Sequence, residues 1–514
     1  MQQVPDILTA DEIRAWDRFT IEENGSTSLE LMEQAAQALA NHWERHQPTG
    51  NRLLIACGKG GNGGDGLALG RILAERGHKI SIWLCEIPDQ QSDTLRQLQE
   101  VKERSQLQII PADRRPKSNE FDTLIDALRG NGLSRPAAGT LKEQIDWINQ
   151  SGLPVVSIDL PTGMPGDTPF SSDWPIIRAR QTLCLDPIKL NLLLPESAPY
   201  RGKVCRISFG LSPHFRAKQS LATLNRASDL AAQLPDRPRF MHKGTAGHAL
   251  LIAGSAQYPG AAWLCAEACA RAGAGRTTLS STQSVWNHPP AHLSEVIKHL
   301  NGTDWPSVFP AVLPHQSVAI GPGIGTANST AHALGQFLKK ANKNYTRLIL
   351  DADALNLLSK HPKWKDQLPA GSILTPHPIE FDRLTGLHAN SWERLSTLKQ
   401  LASERGWVVV LKNAFTFTGT ENGELFLTAR GNTALARGGS GDALTGLMAA
   451  LSARGTSAGA TARIASWLLG RAAECAANLQ AEEGILLSDI LKQLPEAFAD
   501  LRNDSGSDEF FGYF

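Results

Sequence analysis

Apolar and polar positions along this chain follow two rhythms. In "TADEIRAWDRFTIEE", residues 9–23, apolar residues recur at helical spacing, and Thr9 followed by Glu12 is a capping-box signature. After a turn at Gly25, "SLELMEQAAQALANHWERH" predicts a second helix. Short apolar runs then alternate with helical stretches: "RLLIAC", "KISIWLC", "FDTLIDAL", "LPVVSIDL" and "VCRISF". That alternation predicts a parallel α/β sheet. It lapses over residues 211–240, which are polar, end in a proline cluster and read as a linker with one helix. It restarts with "HALLIAG", "RTTLSS", "SVAIGPG", "RLILDADAL", "SILTPH" and "WVVVLKN". Two helical segments, "GDALTGLMAALSARG" and "TARIASWLLGRAAECAANLQ", follow, and "NDSGSDEFFGYF" reads as a disordered tail.

The expected layout is therefore an α/β domain over 1–212, a linker over 213–240, a second α/β domain over 241–502 and a tail over 503–514. A length of 514 residues fits two large domains. Lys plus Arg and Asp plus Glu number 51 each, so no global field recruits nucleic acid or a membrane surface. The N-terminal residues lack the order of a signal peptide, and no apolar run approaches ~18 residues. Seven cysteines without a CxxC suit a reducing cytoplasm; Cys265 and Cys269, one turn apart, read as a helix face rather than a metal pair. A cytoplasmic homo-oligomer is expected.

Chemistry enters at "GKGGNGGDG", residues 58–66, between a predicted strand and a helix. Such a turn brings backbone amides and a helix N-terminus to an anion. The spacing is not GxGxxG, and no Walker lysine follows, so a tight turn without a ligand is the alternative. Asp126 and Asp159 each fall at the predicted C-terminal end of a strand, the edge where open α/β sheets bind ligands. Asn62, Asp126 and Thr162 offer one carboxylate and neutral oxygens, a set better suited to a monovalent cation than to Mg²⁺. Asp159 is then available as acid or base. The plainer reading makes both aspartates helix caps.

"CGKGGNGGDGLALGRIL", "DALRGNGLSRP" and "SIDLPTG", prefaced by "SLELMEQAA", resemble the NAD(P)H-hydrate epimerase domain over roughly residues 1–212. The resemblance implies a Rossmann-like three-layer fold. It also implies substrate contacts from Gly61, Asn62, Gly63, Gly64 and Asp65 and from Gly130, Asn131, Gly132, Leu133, Ser134, Arg135 and Pro136. A potassium ion would rest on Asn62, Asp126 and Thr162, with Asp159 catalytic. The chain departs from the family pattern at Lys59, Gly61, Arg129 and Thr162 and in "LDPIKLNLLL".

In the second half, "ARGGSGDALTGLMAALSARG" again runs a glycine turn into a helix. Amides of Gly438, Gly439, Ser440 and Gly441 would form an anion hole. Asp442 beside it could deprotonate a hydroxyl attacking a phosphoryl group, or simply cap the helix. This signature resembles ribokinase-like proteins. With "HKGTAGHALLIAGS", "YPGAAWLCAEACARAGAG", "AIGPGIG", "LILDADALNLL" and "ILTPHPIEF" it resembles the ADP- or ATP-dependent NAD(P)H-hydrate dehydratase over roughly 241–495. That resemblance implies substrate contacts from Ala261, Gly323 and His377. It implies nucleotide contacts from Lys412, Asn413, Ala414, Phe415 and Thr416 with Gly438 to Gly441. The expected chemistry uses ADP with Mg²⁺. The S hydrate of NADH or NADPH is phosphorylated and eliminates phosphate, while the first domain interconverts R and S. Asp351 and Asp353 read equally as solvated loop acids or site residues, and His377 between prolines could be a rigid turn. The competing readings are a small-alcohol kinase with a nucleotide-sensing N-terminal domain, and a non-catalytic dinucleotide-binding module.

Overall fold

The computed structural model describes residues 6–46, 50–104, 107–311, 316–344 and 348–503. The tail reading thus falls almost wholly outside the described residues. Two compact units emerge. Among the described residues, the first takes in those up to Ala222 together with Asn390–Trp392; the second covers Thr223 to Ala389 and Glu393 to Asn503.

In the first unit, α1 (Ala10–Asn24) and α2 (Ser28–His46) precede a seven-stranded sheet. Thr9 Oγ1 accepts the Glu12 amide at 3.3 Å, but the Glu12 carboxylate accepts the Lys218 amide, so only half of the expected capping box forms. The strands are β1 (Arg52–Cys57), β2 (Lys79–Leu84), β3 (Gln108–Ile110), β4 (Thr123–Ala127), β5 (Val155–Ile158), β6 (Gln181–Leu185) and β7 (Lys203–Ile207). All pairs are parallel, in the order β3-β2-β1-β4-β5-β6-β7. Near-continuous apolar runs such as Leu53–Cys57 are buried on both faces, as helices on both sides of a parallel sheet require. The order reverses between β1 and β4, which opens a crevice beyond their C-terminal ends. Helix α3 (Gly61–Glu75) leaves β1 there, and α4 (Asp93–Arg104) and α5 (Gly139–Gln150) complete the layers.

The second unit's sheet begins inside the expected linker, at Thr223 and Leu224 of β8 (Ser220–Leu224), and a short helix, Ala227–Ala231, follows. The remaining strands are β9 (His248–Ile252), β10 (Arg276–Ser281), β11 (Ile297–Leu300), β12 (Gln316–Ile320), β13 (Leu348–Leu350), β14 (Ile373–Leu374), β15 (Val408–Leu411), β16 (Thr416–Gly419) and β17 (Leu425–Thr428). Their order is β8-β17-β16-β15-β14-β13-β12-β9-β10-β11. Pairing is parallel from β15 to β11 and antiparallel through the β15-β16-β17 hairpins. Here the order reverses between β9 and β12. Against those two strands packs α9 (Ser440–Ala453), buried from Ala443 to Ala453. It meets α6 (Pro259–Arg271) at glycine distance: a Cβ on Gly446 would lie 2.1 Å from the Cys265 carbonyl oxygen. Cys265 and Cys269 are fully buried on α6, as a helix face should be. The α/β expectation is met in both units.

Candidate active sites

Most of the glycines of "GKGGNGGDG" serve packing. The segment is not a loop throughout: α3 begins at Gly61. A Cβ would lie 1.9 Å from the Gly58 carbonyl oxygen at Gly63, 2.1 Å from the Leu128 carbonyl oxygen at Gly58, and 2.5 Å from Ala127 Cβ at Gly66. Only bare backbone lets the helix start this close to β1 and β4. Gly60 and Gly61 have open space around them instead, so a ligand can approach them closely, although the Gly60 carbonyl is taken by Thr94 Oγ1 at 3.0 Å.

They face a cavity of about 1180 Å³. Its walls include Gly61, Asn62 and Asp65 of α3, the whole Gly130–Pro136 loop after β4, Asp159 after β5, Lys189, and one side of α1 carrying Asp17. The first-half residues expected to meet substrate thus converge, save Gly63 and Gly64, which are buried in packing.

Asp159 is held in left-handed backbone, φ +65°, which is uncommon for a residue with a side chain and cheapest for Asp, Asn or Gly. The conformation aims its carboxylate at buried Lys189, whose ammonium donates to Asp159 Oδ1 and, at 2.7 Å, to the Leu185 carbonyl. Burial opposes the lysine's charge, but the Asp159 carboxylate prevails and raises its affinity for the proton. The Asn131 amide donates to Asp159 Oδ2 at 3.1 Å, and a Cβ on Gly130 would sit 2.7 Å from that oxygen.

Asp126 and Thr162 lie behind this wall, both essentially inaccessible. Asp126 accepts Thr162 Oγ1 at 2.7 Å, the Thr162 amide at 2.9 Å, Ser157 Oγ at 2.8 Å and the Leu128 amide at 3.2 Å. Burial lifts its carboxyl above the ordinary range, with the Thr162 bonds opposing. Asn62 donates to the Ile158 carbonyl at 3.3 Å, while its Oδ1 is buried and has no partner among the described residues. Arg129 turns to Glu86, 2.6 Å away, and its backbone amide donates to Thr162 Oγ1 at 3.0 Å.

In the second unit the functional groups again gather where strands end. Asp351 follows β13 and is 1% exposed. Lys412, after β15, donates to its Oδ1 at 2.6 Å; Thr445 of α9 donates to its Oδ2 at 2.8 Å. Burial alone would raise the Asp351 carboxyl, but Lys412 and the hydroxyls hold it below the ordinary range. Ala352, the first residue of α7 (Ala352–Lys360), is also in left-handed backbone, φ +46°. Asp442 lies in the first turn of α9, and burial, then the Asp351 carboxylate, push it up to about 6. Ser440 Oγ beside it is buried without a partner among the described residues. A Cβ on Gly441 would be 3.2 Å from Lys412 Nζ and 3.5 Å from Asp351 Oδ2.

Gly323 (φ +61°) abuts Ala261, a Cβ there standing 2.9 Å from Ala261 Cβ, and its carbonyl accepts Ser255 Oγ at 2.7 Å. His377 caps α8 (Pro378–Thr385): its Nδ1 accepts the Ile379 amide at 3.2 Å, and its own amide donates to Glu380 Oε2 at 3.0 Å. That is the turn role considered from the sequence. Asn413 and Ala414 are exposed, Phe415 is buried in the core, and Thr416 opens β16. Sequence reasoning missed Lys189 and Asp17, and left Asp351 open. The only trace of Lys189 was the lysine in "LDPIKLNLLL".

A family model described as NAD(P)H-hydrate dehydratase matches residues 249–496, and one described as YjeF-related protein N-terminus matches residues 28–190. The bifunctional NAD(P)H-hydrate repair enzyme Nnr of Coxiella burnetii is 31% identical over 94% of this chain and 97% of its own length. That of Thermofilum pendens is 30% identical over 97% of each. The Bacillus subtilis ADP/ATP-dependent NAD(P)H-hydrate dehydratase, co-crystallised with ATP and Mg²⁺, is 28% identical, with a TM-score of 0.47 over 55% of this chain and all of its own.

Proposed function

The chain belongs to the bifunctional NAD(P)H-hydrate repair enzymes, and from that premise we propose how its two acid centres divide the work. The first unit epimerises the R and S hydrates of NADH and NADPH; the second dehydrates the S hydrate with ADP. The observation that carries the reading is a carboxylate centre beside the strand-order reversal of each sheet, Asp159 lining the cavity in one and Asp442 on the helix packed over the reversal in the other.

In the second unit, Asp442 accepts the proton of the substrate hydroxyl as that hydroxyl attacks the terminal phosphoryl group of ADP, whose bridging P–O bond breaks to release AMP. Gly439 to Gly441 supply amides at the N-terminus of α9, and Lys412 a positive charge beside them. Phosphate then leaves with the C–O bond electrons, the neighbouring ring carbon gives up a proton to solvent, and its C–H electron pair forms the restored ring double bond. Asp351 and the Ser440 hydroxyl are hard oxygen donors of the kind that meet Mg²⁺ arriving on nucleotide phosphates. Mg²⁺ would neutralise phosphate charge there. Ala261 and Gly323 bear on the substrate, and Lys412 to Thr416 lead toward the nucleotide.

In the first unit, Asp159 exchanges protons at the hydrated ring while Gly60, Gly61 and the Gly130–Pro136 loop cradle the dinucleotide. The unpartnered Asn62 Oδ1, with Asp126 and Thr162, suits potassium, which would order the loops. The test is to incubate mixed hydrates with and without ADP and Mg²⁺, following NADH absorbance and residual epimers. Complete recovery with ADP, and none without, is expected; recovery stopping at the S fraction sinks the epimerase assignment.

A further inference from the structure

Ala10, Ile13, Arg14, Asp17 and Ile21 recur at three- and four-residue spacing and line the first-unit cavity, so one stripe of α1 faces the site. Asp17 is the carboxylate of that stripe. It shares the cavity with Asp65 of α3 and with the Asp159–Lys189 pair. Asp159 is tied down by Lys189 and the Asn131 amide. Asp17 and Asp65 have no hydrogen-bond or ion-pair partner among the described residues. Carboxyls half-buried in a cavity wall and unpaired carry a cost, and proteins tend to keep them where a ligand or a proton needs them. Burial foremost brings Asp17 up to about 6, with Lys189 and Arg18 opposing and Asp159 reinforcing.

We propose that Asp17 is a second catalytic acid–base residue of the epimerisation site, touching the hydrated ring from α1 while Asp159 touches it from the sheet edge. The inference rests on the NAD(P)H-hydrate reading of the cavity. Inverting a hydroxyl-bearing carbon beside a ring nitrogen takes two proton transfers. A protonated carboxyl gives its proton to the hydroxyl, and the C–O bond breaks with its pair on oxygen. Water leaves as the nitrogen lone pair forms C=N. Water then adds to the opposite face, its lone pair making the new C–O bond while the C=N pair returns to nitrogen, and its proton passes to a carboxylate. No oxidant or reductant is consumed. Asp159, fixed against an ammonium, suits the accepting part; the unpaired Asp17 suits the donating part, and the roles exchange in the reverse direction.

The test supplies full-length protein with mixed hydrates, ADP and Mg²⁺. NADH should return in a burst from the S epimer and a slower phase limited by epimerisation. Asp17→Asn should keep the burst and lower the slow phase by ~10²–10⁴-fold. Asp17→Glu should restore part of it with a displaced pH profile. A slow phase in Asp17→Asn within twofold of the parent overturns the proposal. So does a loss in Asp17→Asn that is uniform at every pH and not rescued in Asp17→Glu, which marks a structural role. A parent protein without any slow phase above the spontaneous rate instead overturns the epimerase reading, and the proposal falls with it.

Discussion

Lys412 Nζ lies 2.6 Å from Asp351 Oδ1, and the pair stands against Gly441, one residue before Asp442. A carboxylate 1% exposed holds its charge only because that ammonium and the neighbouring hydroxyls compensate it. Replacing Lys412 with Gln should therefore cost about 3–5 kcal/mol, the usual penalty for stranding one member of a buried pair. The pH dependence has a definite sign. The folded Asp351 carboxyl lies below its ordinary 3.8, so its stabilisation is present above that value and disappears as pH falls through the depressed one. The stability gap between parent and Lys412→Gln should thus be wide at pH 7 and narrow toward pH 3. Urea midpoints across that range check it; a constant gap excludes the pair as the cause.

Asp442 is expected to show its elevated carboxyl in the rate. A general base works only when deprotonated, so dehydration of the S hydrate should rise with pH through about 6 and level off above it. Asp442→Asn should lose ~10²–10⁴ in rate and the inflection with it. Single-turnover NADH formation between pH 5 and 8 measures both, and near-normal turnover in the variant would remove Asp442 from the mechanism.

Much of this was legible in the chain because the strands are short apolar runs bounded by turns; of the two aspartates proposed for catalysis, Asp159 directly follows such a run and Asp442 follows a glycine turn. Three things were not. The first turn of α3 is rich in glycine, which propensity assigns to a loop; tertiary packing at Gly63 and Gly66 overrides that and starts the helix at Gly61. β8 hides in a polar stretch because only Ala222 and Leu224 of its five residues are buried. The Asp159–Lys189 and Asp351–Lys412 pairs join positions 30 and 61 residues apart on different elements, so no local pattern signals them.

Asp159→Asn should strand the R epimer while leaving S-hydrate dehydration intact. Asn tolerates the +65° backbone, so the loop should keep its path. The variant nevertheless leaves the Lys189 charge buried without its counter-ion, and the unit should lose stability. Adding Lys189→Met removes that charge. The double variant should recover thermal stability relative to Asp159→Asn while remaining without epimerase activity. Melting temperatures separate this from a purely steric account, in which the second substitution would only lower stability further.

The opening glycine motif leads to the last expectation. Asn62 Oδ1 is a buried acceptor with no donor among the described residues, an arrangement that costs roughly 1–3 kcal/mol unless a ligand meets it. Behind it, Asp126 is the formal charge and Thr162 a hydroxyl oxygen, so a weakly hydrated monovalent cation is the suited guest. Epimerisation should then require potassium, while dehydration should require Mg²⁺ through the nucleotide. Asp126→Ala is a poor probe, because it would orphan the donors Ser157 and Thr162 as well. Asn62→Ala removes only the unpartnered oxygen and one 3.3 Å bond to Ile158. It should raise the potassium concentration needed for half-maximal epimerisation and leave the S-hydrate burst unchanged. Replacing potassium with tetramethylammonium at fixed ionic strength should slow the parent protein in the same phase. If neither change touches that phase, Asn62 is a turn residue and the Gly60–Gly61 backbone serves the dinucleotide alone.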